Sequence, residues 1–505
     1  MQDLTADIAA LCKQIISDLP RQSRLRSPLT TAAERVTEPL TVAVAGRLKS
    51  GKSTLVNALL GQRVAPVAAG ECTRVVTWFR YGPRERVTVT PHDGAEWTVS
   101  LSENGRLPED LGAPAASIHH VTVWLSNARL EQMTLIDTPG LDSSDTPSAS
   151  ATEDLLGLGD SVGPIRAADA LIFLLPHLLE QDNDRLHRVA SALGNTASSP
   201  ITTLAVLSRI DELSDDPDPW PHARRTAAAL SDELRLCAFD VLPVNGLIAE
   251  TAAAEAFTES DARALRTIAG ADADAVEIAL LSPSDFRDRE LPATPAARER
   301  LLELLGLQGV RRAVRMLSSD AVGTAGLLAH LAHASGFAEL DHTLGEVLAE
   351  RAPAVKARQS LDELERLSYT EVPESERAAV EELRRRVGTL SLHPDLHQLA
   401  ELSVLRMIRR DGLRVPAADL AAAERLVTNH TPQERLGIAA ASDPGTVAET
   451  ALAATTRWQS LENDPRSDRD LREAAATLRQ SLMIIWEQAS TDAQPQSARA
   501  GRDRE

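Results

Sequence analysis

The chain of 505 residues has fewer basic than acidic residues, 53 against 73, and it has few aromatic residues and few cysteines. Its formal net charge is −20 and its aromatic content is 3%. A nucleic-acid partner is therefore not expected, because phosphate contacts require a basic surface and base stacking requires aromatic rings. The three cysteines, Cys12, Cys72 and Cys237, are odd in number and lack metal-ligand spacing. They predict free thiols in a reducing compartment rather than a disulfide framework.

Long hydrophobic runs are also missing. The densest apolar stretch, residues 170–179, contains Pro176 and is about half as long as the ~20 residues of a membrane-spanning helix. The N-terminal residues 1–20 place acids among apolar positions, which is typical of an amphipathic helix and unlike a secretory leader. We therefore expect a cytoplasmic protein in which any contact with the cell membrane is peripheral.

Hydrophobic periodicity divides the chain into two parts. Up to about residue 250, short β-rich runs alternate with helical segments, which predicts a mostly parallel sheet with helices on both faces. The predicted strands are 41–45, 75–81, 86–91, 121–125, 133–137, 170–175, 201–208 and 241–245. Helical spacing fills the remainder and also residues 3–19 and 28–37, so the fold class is an α/β domain, a mostly parallel sheet with helices on both faces, joined to an elongated α-helical bundle.

Lysine is rare, with four against forty-nine arginines, and two of the four lie in one loop. The segment GRLKSGKS at 46–53 matches GxxxxGK[ST] between a predicted strand and a helical run. In such a loop the backbone N–H groups bind the β-phosphate, Lys52 reaches the β and γ oxygens, and the Ser53 hydroxyl joins a Mg²⁺ shell. The predicted nucleotide-binding residues here are Gly46, Leu48, Lys49, Ser50, Gly51, Lys52, Ser53 and Thr54.

A second carboxylate for the metal is predicted in DTPG at 137–140, after the apolar strand. Asp137 can hold a metal-bound water and the Gly140 N–H can sense the γ-phosphate. A threonine that closes over the metal should lie between the two motifs. Thr73 is the best placed, whereas Thr77 lies inside a β run and favours a structural role. The predicted metal set is Ser53, Thr73 and Asp137, with Thr73 also catalytic.

The segment LSRID at 207–211 predicts the base. Asp211 can pair with the N1 and N2 donors of guanine, which adenine lacks. The usual pattern is [NT]KxD, and here Ser208 and Arg209 replace its first two residues, although arginine can also lie over a purine face. Asp211 could instead cap a helix. The N–H groups predicted to face the guanine O6 belong to Val244, Asn245 and Gly246.

Together these motifs resemble the dynamin-like GTPases of bacteria, specifically the isoniazid-inducible and septation-associated dynamin-like proteins of actinobacteria. The segments that carry the resemblance are AGRLKSGKSTLVNALLG, ECTRVVTWFRYG, LIDTPGLDS, LSRIDEL, PVNGLIAETA and LLELLGLQGVRRAV. The resemblance implies GTP and GDP binding with Mg²⁺, self-association or a homologous dynamin-like partner, and nucleotide-driven membrane fusion, fission or repair. The implied regions are N-terminal neck helices at 1–38, a GTPase domain at 39–255, a neck segment at 256–320, a stalk at 321–490 with a tip near 384–416, and a disordered tail at 491–505.

One departure from the family concerns the phosphate loop. Many dynamins carry Gln-Ser where this chain has Leu48 and Lys49, and that pair positions water and a monovalent ion. Leu48 cannot orient a water. We hypothesise that the Lys49 ammonium is catalytic, beside the β–γ bridging oxygen where charge grows in the transition state. Alternatively, Lys49 points to solvent or pairs with an acid across a head-to-head dimer.

An acidic chain needs a local basic surface to approach an anionic bilayer. The segment LRMIRRDGLRVP at 405–416 interleaves four arginines with apolar residues at a helix break, a composition typical of interfacial contacts. The alternative is an ordinary helix end with a solvated arginine face and buried apolar residues. The candidate membrane residues are Arg406, Ile408, Arg409, Arg410 and Leu413.

Two other functions remain open from the sequence. A soluble GTPase switch that signals to a protein or ribosome is disfavoured by the long helical half and by the lack of a basic RNA-binding module. A weakly catalytic subunit that loads nucleotide and works with a homologous dynamin-like chain is compatible with Leu48.

Overall fold

The computed structural model describes residues 3–66, 75–139, 168–176, 200–213, 216, 218–235, 237–319, 322–410 and 413–493. The chain forms two compact units. We call residues 39–349 the sheet unit, and residues 1–38 with 350–505 the helical unit.

The described residues form nine strands and nineteen α-helices. The strands are β1 (Leu40–Gly46), β2 (Thr77–Tyr81), β3 (Arg86–Pro91), β4 (Trp97–Val99), β5 (Ile118–Leu125), β6 (Met133–Asp137), β7 (Ala170–Leu175), β8 (Thr203–Leu207) and β9 (Asp240–Pro243). The helices are α1 (Leu4–Asp18), α2 (Arg26–Thr37), α3 (Lys52–Leu60), α4 (Ala128–Gln132), α5 (Trp220–Glu233), α6 (Gly246–Ala253), α7 (Glu259–Ala269), α8 (Ala273–Ala279), α9 (Pro283–Asp288), α10 (Pro295–Ser319), α11 (Thr324–Ala334), α12 (Phe337–Thr343), α13 (Ala352–Leu367), α14 (Arg377–Leu390), α15 (His397–Arg410), α16 (Ala417–Thr428), α17 (Pro432–Leu436), α18 (Pro444–Asn463) and α19 (Arg469–Ala493).

One nine-stranded sheet organises the sheet unit, in the order β4-β3-β5-β2-β6-β1-β7-β8-β9. The central β1 runs parallel to β6 and β7, and parallel pairing continues through β8 to β9. On the other side β2 is antiparallel to β6, and β3 and β4 form an antiparallel edge. Strands β1, β6, β7 and β8 are buried along their whole length, as expected for parallel strands with both faces covered. The predicted fold class is confirmed.

The helices between residues 256 and 349 belong to the sheet unit. Apolar residues of α7, α10 and α11 share one buried cluster with Ile248 of α6. The chain therefore divides after residue 349 and not at the predicted boundary of 255. The predicted neck segment 256–320 lies within this unit. Its longest helix, α10, is kinked at Gly306, whose φ of +62° lies in the left-handed region that glycine adopts readily.

The helical unit combines the two ends of the chain. Helices α1 and α2 share a buried apolar cluster with α13 and α14, which includes Ile8, Ile15, Leu29, Leu361 and Leu383. Helices α18 and α19 pack against each other along their length. No helix in the described ranges has both the length and the apolar content to cross a bilayer. Helix α19 extends to Ala493, and the rest of the predicted tail lies outside the described residues.

Candidate nucleotide-binding site

The phosphate loop connects the end of β1 to the start of α3. Gly46 and Gly51 have φ values of +152° and +95°, and Lys49 adopts a φ of +61°. A Cβ at Gly46 would lie 2.8 Å from the carbonyl oxygen of Leu174 on β7. Glycine is therefore required at residue 46 for the loop to pass so close to the neighbouring strand.

Three side chains of the loop differ in their exposure to solvent. Lys52 is buried, and its Nζ donates to the carbonyl oxygens of Gly46 at 3.1 Å and Arg47 at 2.8 Å. The ammonium is thus held within the loop that the motif assigns to phosphate. Leu48 is 54% exposed and Lys49 is also exposed, so both are accessible from solvent.

The predicted metal ligands Ser53 and Asp137 lie together. Asp137 ends β6 in register with Val44 of β1, and its Oδ2 accepts a hydrogen bond from Ser53 Oγ at 2.7 Å. Its Oδ1 is buried and has no hydrogen-bond partner in the described part of the chain. Burial raises the pKa of Asp137 to about 6, against the hydrogen bond from Ser53 and the charge of Lys52. A buried, unpaired carboxylate oxygen beside a serine hydroxyl fits a hard divalent cation.

Two further predicted residues lie outside the described residues: the metal ligand Thr73 and the γ-phosphate sensor Gly140. The competing threonine, Thr77, lies in β2 opposite Asp137. Its Oγ1 is buried and donates weakly to the carbonyl oxygen of Val75 at 3.4 Å. This is the structural role that the sequence favours for Thr77.

The loop after β8 is tied to the phosphate loop. Ser208 Oγ donates to the backbone carbonyl oxygen of Ser50 at 2.8 Å, and both residues are buried. Arg209 adopts a left-handed φ of +51°, and its guanidinium pairs with Glu212 at 2.6 Å. Asp211 does not cap a helix, because it lies inside the one-turn 3-10 helix Ile210–Glu212 and α5 begins only at Trp220. Desolvation by the surrounding protein raises the pKa of Asp211, although the residue keeps an open face to solvent.

Removal of the Ser208 hydroxyl should weaken nucleotide binding without unfolding the protein. In Ser208→Ala the buried carbonyl of Ser50 loses its partner, which costs about 1 kcal/mol and lowers affinity by about five- to tenfold. Dissociation of a fluorescent GDP measured by stopped flow checks this. A rate equal to that of the wild type would show that the tether does not shape the site.

The segment after β9 differs from the prediction. The N–H of Val244 donates to Leu207 O at 2.9 Å and that of Asn245 to Ser335 O at 2.8 Å. Neither group is available to the guanine O6 in this arrangement, so their predicted role as donors is wrong. The Asn245 side chain caps α6 by accepting from the Ile248 N–H. Gly246, the third predicted donor, is the first residue of α6.

Part of the predicted membrane tip is also wrong. Leu413 is only 8% exposed, because the fold covers the apolar side of this segment, so it cannot enter lipid from this arrangement. Arg406 and Ile408 of α15 are half-buried, and Arg409 is exposed. The side chain of Arg410 lies outside the described residues.

Sequence reasoning missed a buried asparagine on the helix that follows the phosphate loop. Asn57 Oδ1 accepts from the N–H groups of Val64 and Ala65 at 3.0 and 2.8 Å, and its Nδ2 donates to Ala65 O at 3.0 Å. The Nδ2 also donates to Glu250 Oε1 on α6 at 2.8 Å. A signal was present, because a single polar residue in the apolar run LVNALL must find buried partners.

Comparison with known proteins places this arrangement in a family. Residues 42–162 match the model of the dynamin family. The chain is 32% identical to the isoniazid-induced protein IniC of Mycobacterium tuberculosis, over 87% of this chain and 89% of that protein. It is 34% identical to isoniazid-induced protein IniA of the same species over 29% of this chain and 24% of that protein. It is 27% identical to the bacterial dynamin-like protein of Nostoc punctiforme over 26% of this chain and 20% of that protein. The chain therefore belongs to the dynamin family and is a bacterial dynamin-like GTPase, as the motifs predicted.

Proposed function

We propose that this GTPase binds GTP with Mg²⁺ at the phosphate loop, Asp137 and Asp211. We further propose that it couples hydrolysis to self-association and to peripheral binding of an anionic surface on the cytoplasmic face of the membrane. The observation that carries the nucleotide part is the hydrogen bond from Ser53 to Asp137, which leaves one buried carboxylate oxygen without a partner. The contact between Ser208 and Ser50 supports one site for base and phosphates, because it joins the loop after β8, which carries Asp211, to the phosphate loop.

Ser53 and Asp137 would hold the metal, with Thr73 as the predicted third ligand. Bound there, Mg²⁺ supplies positive charge to the phosphate oxygens. Lys52 binds those oxygens when its ammonium exchanges the carbonyl groups of Gly46 and Arg47 for the nucleotide. Asp211 accepts from guanine and so selects GTP over ATP, since adenine offers no matching donors.

Lys49→Ala is expected to slow turnover and leave nucleotide affinity unchanged. Lys49 is exposed and adopts a left-handed backbone, a conformation that costs a non-glycine residue energy and is common at functional sites. If its ammonium stabilises the transition state, kcat falls by about a hundredfold. Single-turnover hydrolysis with a separate binding titration checks this. Turnover at the parental rate would leave the two alternatives, solvent exposure or pairing across a dimer.

The membrane part of the proposal rests on family membership and on the arginines of α15. Flotation of the full chain with phosphatidylglycerol and phosphatidylcholine vesicles tests it, without nucleotide and with a non-hydrolysable GTP analogue. We expect binding only to the anionic vesicles, and loss of binding in Arg409→Glu/Arg410→Glu. The control is Arg469→Glu/Arg472→Glu, which makes the same charge change at the exposed start of α19. Absence of binding under every condition would contradict the membrane role.

A second candidate is a weakly catalytic subunit that assembles with a homologous dynamin-like chain. The exposed Leu48 favours it, because an aliphatic side chain at this place cannot orient the attacking water. Turnover measured alone and in an equimolar mixture with such a chain separates the two functions. A large increase in the mixture supports the subunit, and equal turnover per chain supports the self-sufficient enzyme.

A further inference from the structure

A cavity of about 370 Å³ lies in the sheet unit beside Ile210, in the loop that follows β8. It is lined by Asn245 at the start of α6, Trp220 at the start of α5, and residues of α10 and α11. None of the phosphate-loop residues 46–54 lines it. Because of this lining, the cavity is distinct from the phosphate-binding part of the nucleotide site. Its volume lies within the range of small-molecule sites.

The cavity concentrates positive charge in a chain whose net charge is −20. Arg312 and Arg315 line it from α10, and the single lining carboxylate, Asp218, lies 3.9 Å from Arg312. The Nε of Arg312 is buried without a hydrogen-bond partner among the described residues. Arg315 is exposed, and none of the ion pairs among the described residues includes it. Among the described residues, the two guanidinium groups thus face one loosely placed carboxylate, and an anion would neutralise the remaining positive charge.

The remaining wall of the cavity is apolar or neutral. Met316 and the half-buried ring of Trp220 line it. His330 of α11 also lines it, and burial together with the charge of Arg312 lowers the pKa of its imidazole. The neutral ring can exchange one hydrogen bond with a ligand. Cationic groups beside apolar surface suit a ligand with an anionic group attached to a small carbon skeleton.

We propose that this cavity binds a small organic phosphate through Arg312 and Arg315. The planar guanidinium group of arginine forms bidentate hydrogen bonds with two phosphate oxygens, which favours phosphate over a halide or another monatomic anion. The phosphate comes either from a free metabolite or from a phospholipid headgroup, since both present the same chemistry. Ile210 also lines the cavity and is the chain neighbour of Asp211, the proposed guanine acceptor, so ligand binding changes nucleotide affinity. This coupling rests on the proposed function, whereas the binding itself does not.

The test uses the full chain, saturated with GDP and Mg²⁺ so that the phosphate loop is occupied. Calorimetric titrations with inorganic phosphate and glycerol 3-phosphate probe the free ligand, and flotation with phosphatidylglycerol against phosphatidylcholine vesicles probes the headgroup. We expect saturable binding that weakens at least tenfold in Arg312→Gln/Arg315→Gln. The control Arg225→Gln/Arg263→Gln removes the same charge from exposed faces of α5 and α7 and should bind like the wild type.

A second variant separates ligand binding from folding defects. Met316→Trp fills the cavity while both arginines remain, and it should also lose binding of the phosphate probes. Equal affinity in the wild type and both cavity variants, or no saturable binding of any probe, overturns the proposal. GDP affinity is measured beforehand without phosphate, so a failure of the proposed nucleotide site is recognised separately from a failure of this cavity.

Discussion

Asp137→Asn is expected to raise the melting temperature of the nucleotide-free protein at neutral pH while removing Mg²⁺-dependent GTP turnover. Burial raises the pKa of Asp137 from 3.8 to about 6, so between these pH values the folded state binds a proton more tightly than the unfolded chain. The stability linked to this carboxyl is present at low pH and is lost as pH rises through about 6. At pH 7.5 a neutral amide removes the cost of an ionised buried group, up to about 3 kcal/mol.

Thermal unfolding in EDTA between pH 4.5 and 7.5, with a separate turnover assay in Mg²⁺, measures both effects. The gain in melting temperature should be several degrees at pH 7.5 and should shrink toward pH 4.5. Turnover should fall at least about a hundredfold, because an amide is a weaker ligand for a hard cation. A lower melting temperature at pH 7.5, or preserved turnover, would contradict this account of Asp137.

Asp261→Asn is the matched control for the sign of the pH effect. Burial alone would raise the pKa of Asp261, but hydrogen bonds from Arg300 and Thr258 lower this pKa below its usual value. Its ionised form stabilises the fold above the unfolded pKa, and this stability is lost as pH falls. The same substitution at Asp261 should therefore lower the melting temperature at pH 7.5.

Asn57→Ala is expected to destabilise the protein by about 3 to 5 kcal/mol, because the change removes four buried hydrogen bonds at once. Two backbone N–H groups, at Val64 and Ala65, would lose their acceptor. The carboxylate of Glu250 would lose the bond from Asn57 and keep, within the described ranges, the ion pair with Arg63 at 3.4 Å. Urea unfolding of the full chain followed by tryptophan fluorescence measures the loss.

Two comparisons make the Asn57 prediction specific. Asn127→Ala removes only two hydrogen bonds, the cap to the Arg129 N–H and the bond to the carbonyl oxygen of Leu60, and should cost about 2 kcal/mol. In a double-mutant cycle with Glu250→Gln, the cost of Asn57→Ala should shrink by about 1 kcal/mol or more, since burial raises the pKa of Glu250 and the neutral amide is cheaper to leave unpaired. An Asn57→Ala variant as stable as Asn127→Ala would contradict the network.

Local patterns predicted most of the sheet, and their failures have physical causes. The run MTLID predicted β6 at its observed bounds, because a continuous apolar segment must be buried on both faces. The edge strand β4 has only three residues, too few for a periodicity to be visible. The division after residue 349 was not predictable from helical spacing, since it depends on which helices share a core with Ile248.

In the candidate site, too, local sequence predicted local geometry but not contacts between distant segments. The phosphate-loop motif predicted the glycine turn that the structure has, because the local sequence dictates that geometry. The donors assigned to Val244 and Asn245 failed because their partners, Leu207 and Ser335, come from distant segments. The prediction of lipid contact for Leu413 failed for a similar reason, since apolar residues beside arginines can be covered by the fold as well as by lipid.

Nucleotide selectivity tests the central claim most directly. Calorimetric titration of the full chain with GDP and ADP, in Mg²⁺, compares the two bases at the same phosphate loop. We expect one GDP site per chain, ADP binding at least about a hundredfold weaker, and loss of this preference in Asp211→Ala. We also expect no GDP binding in Lys52→Ala. Equal affinity for GDP and ADP in the wild type, or GDP binding that survives Lys52→Ala, would contradict the central claim.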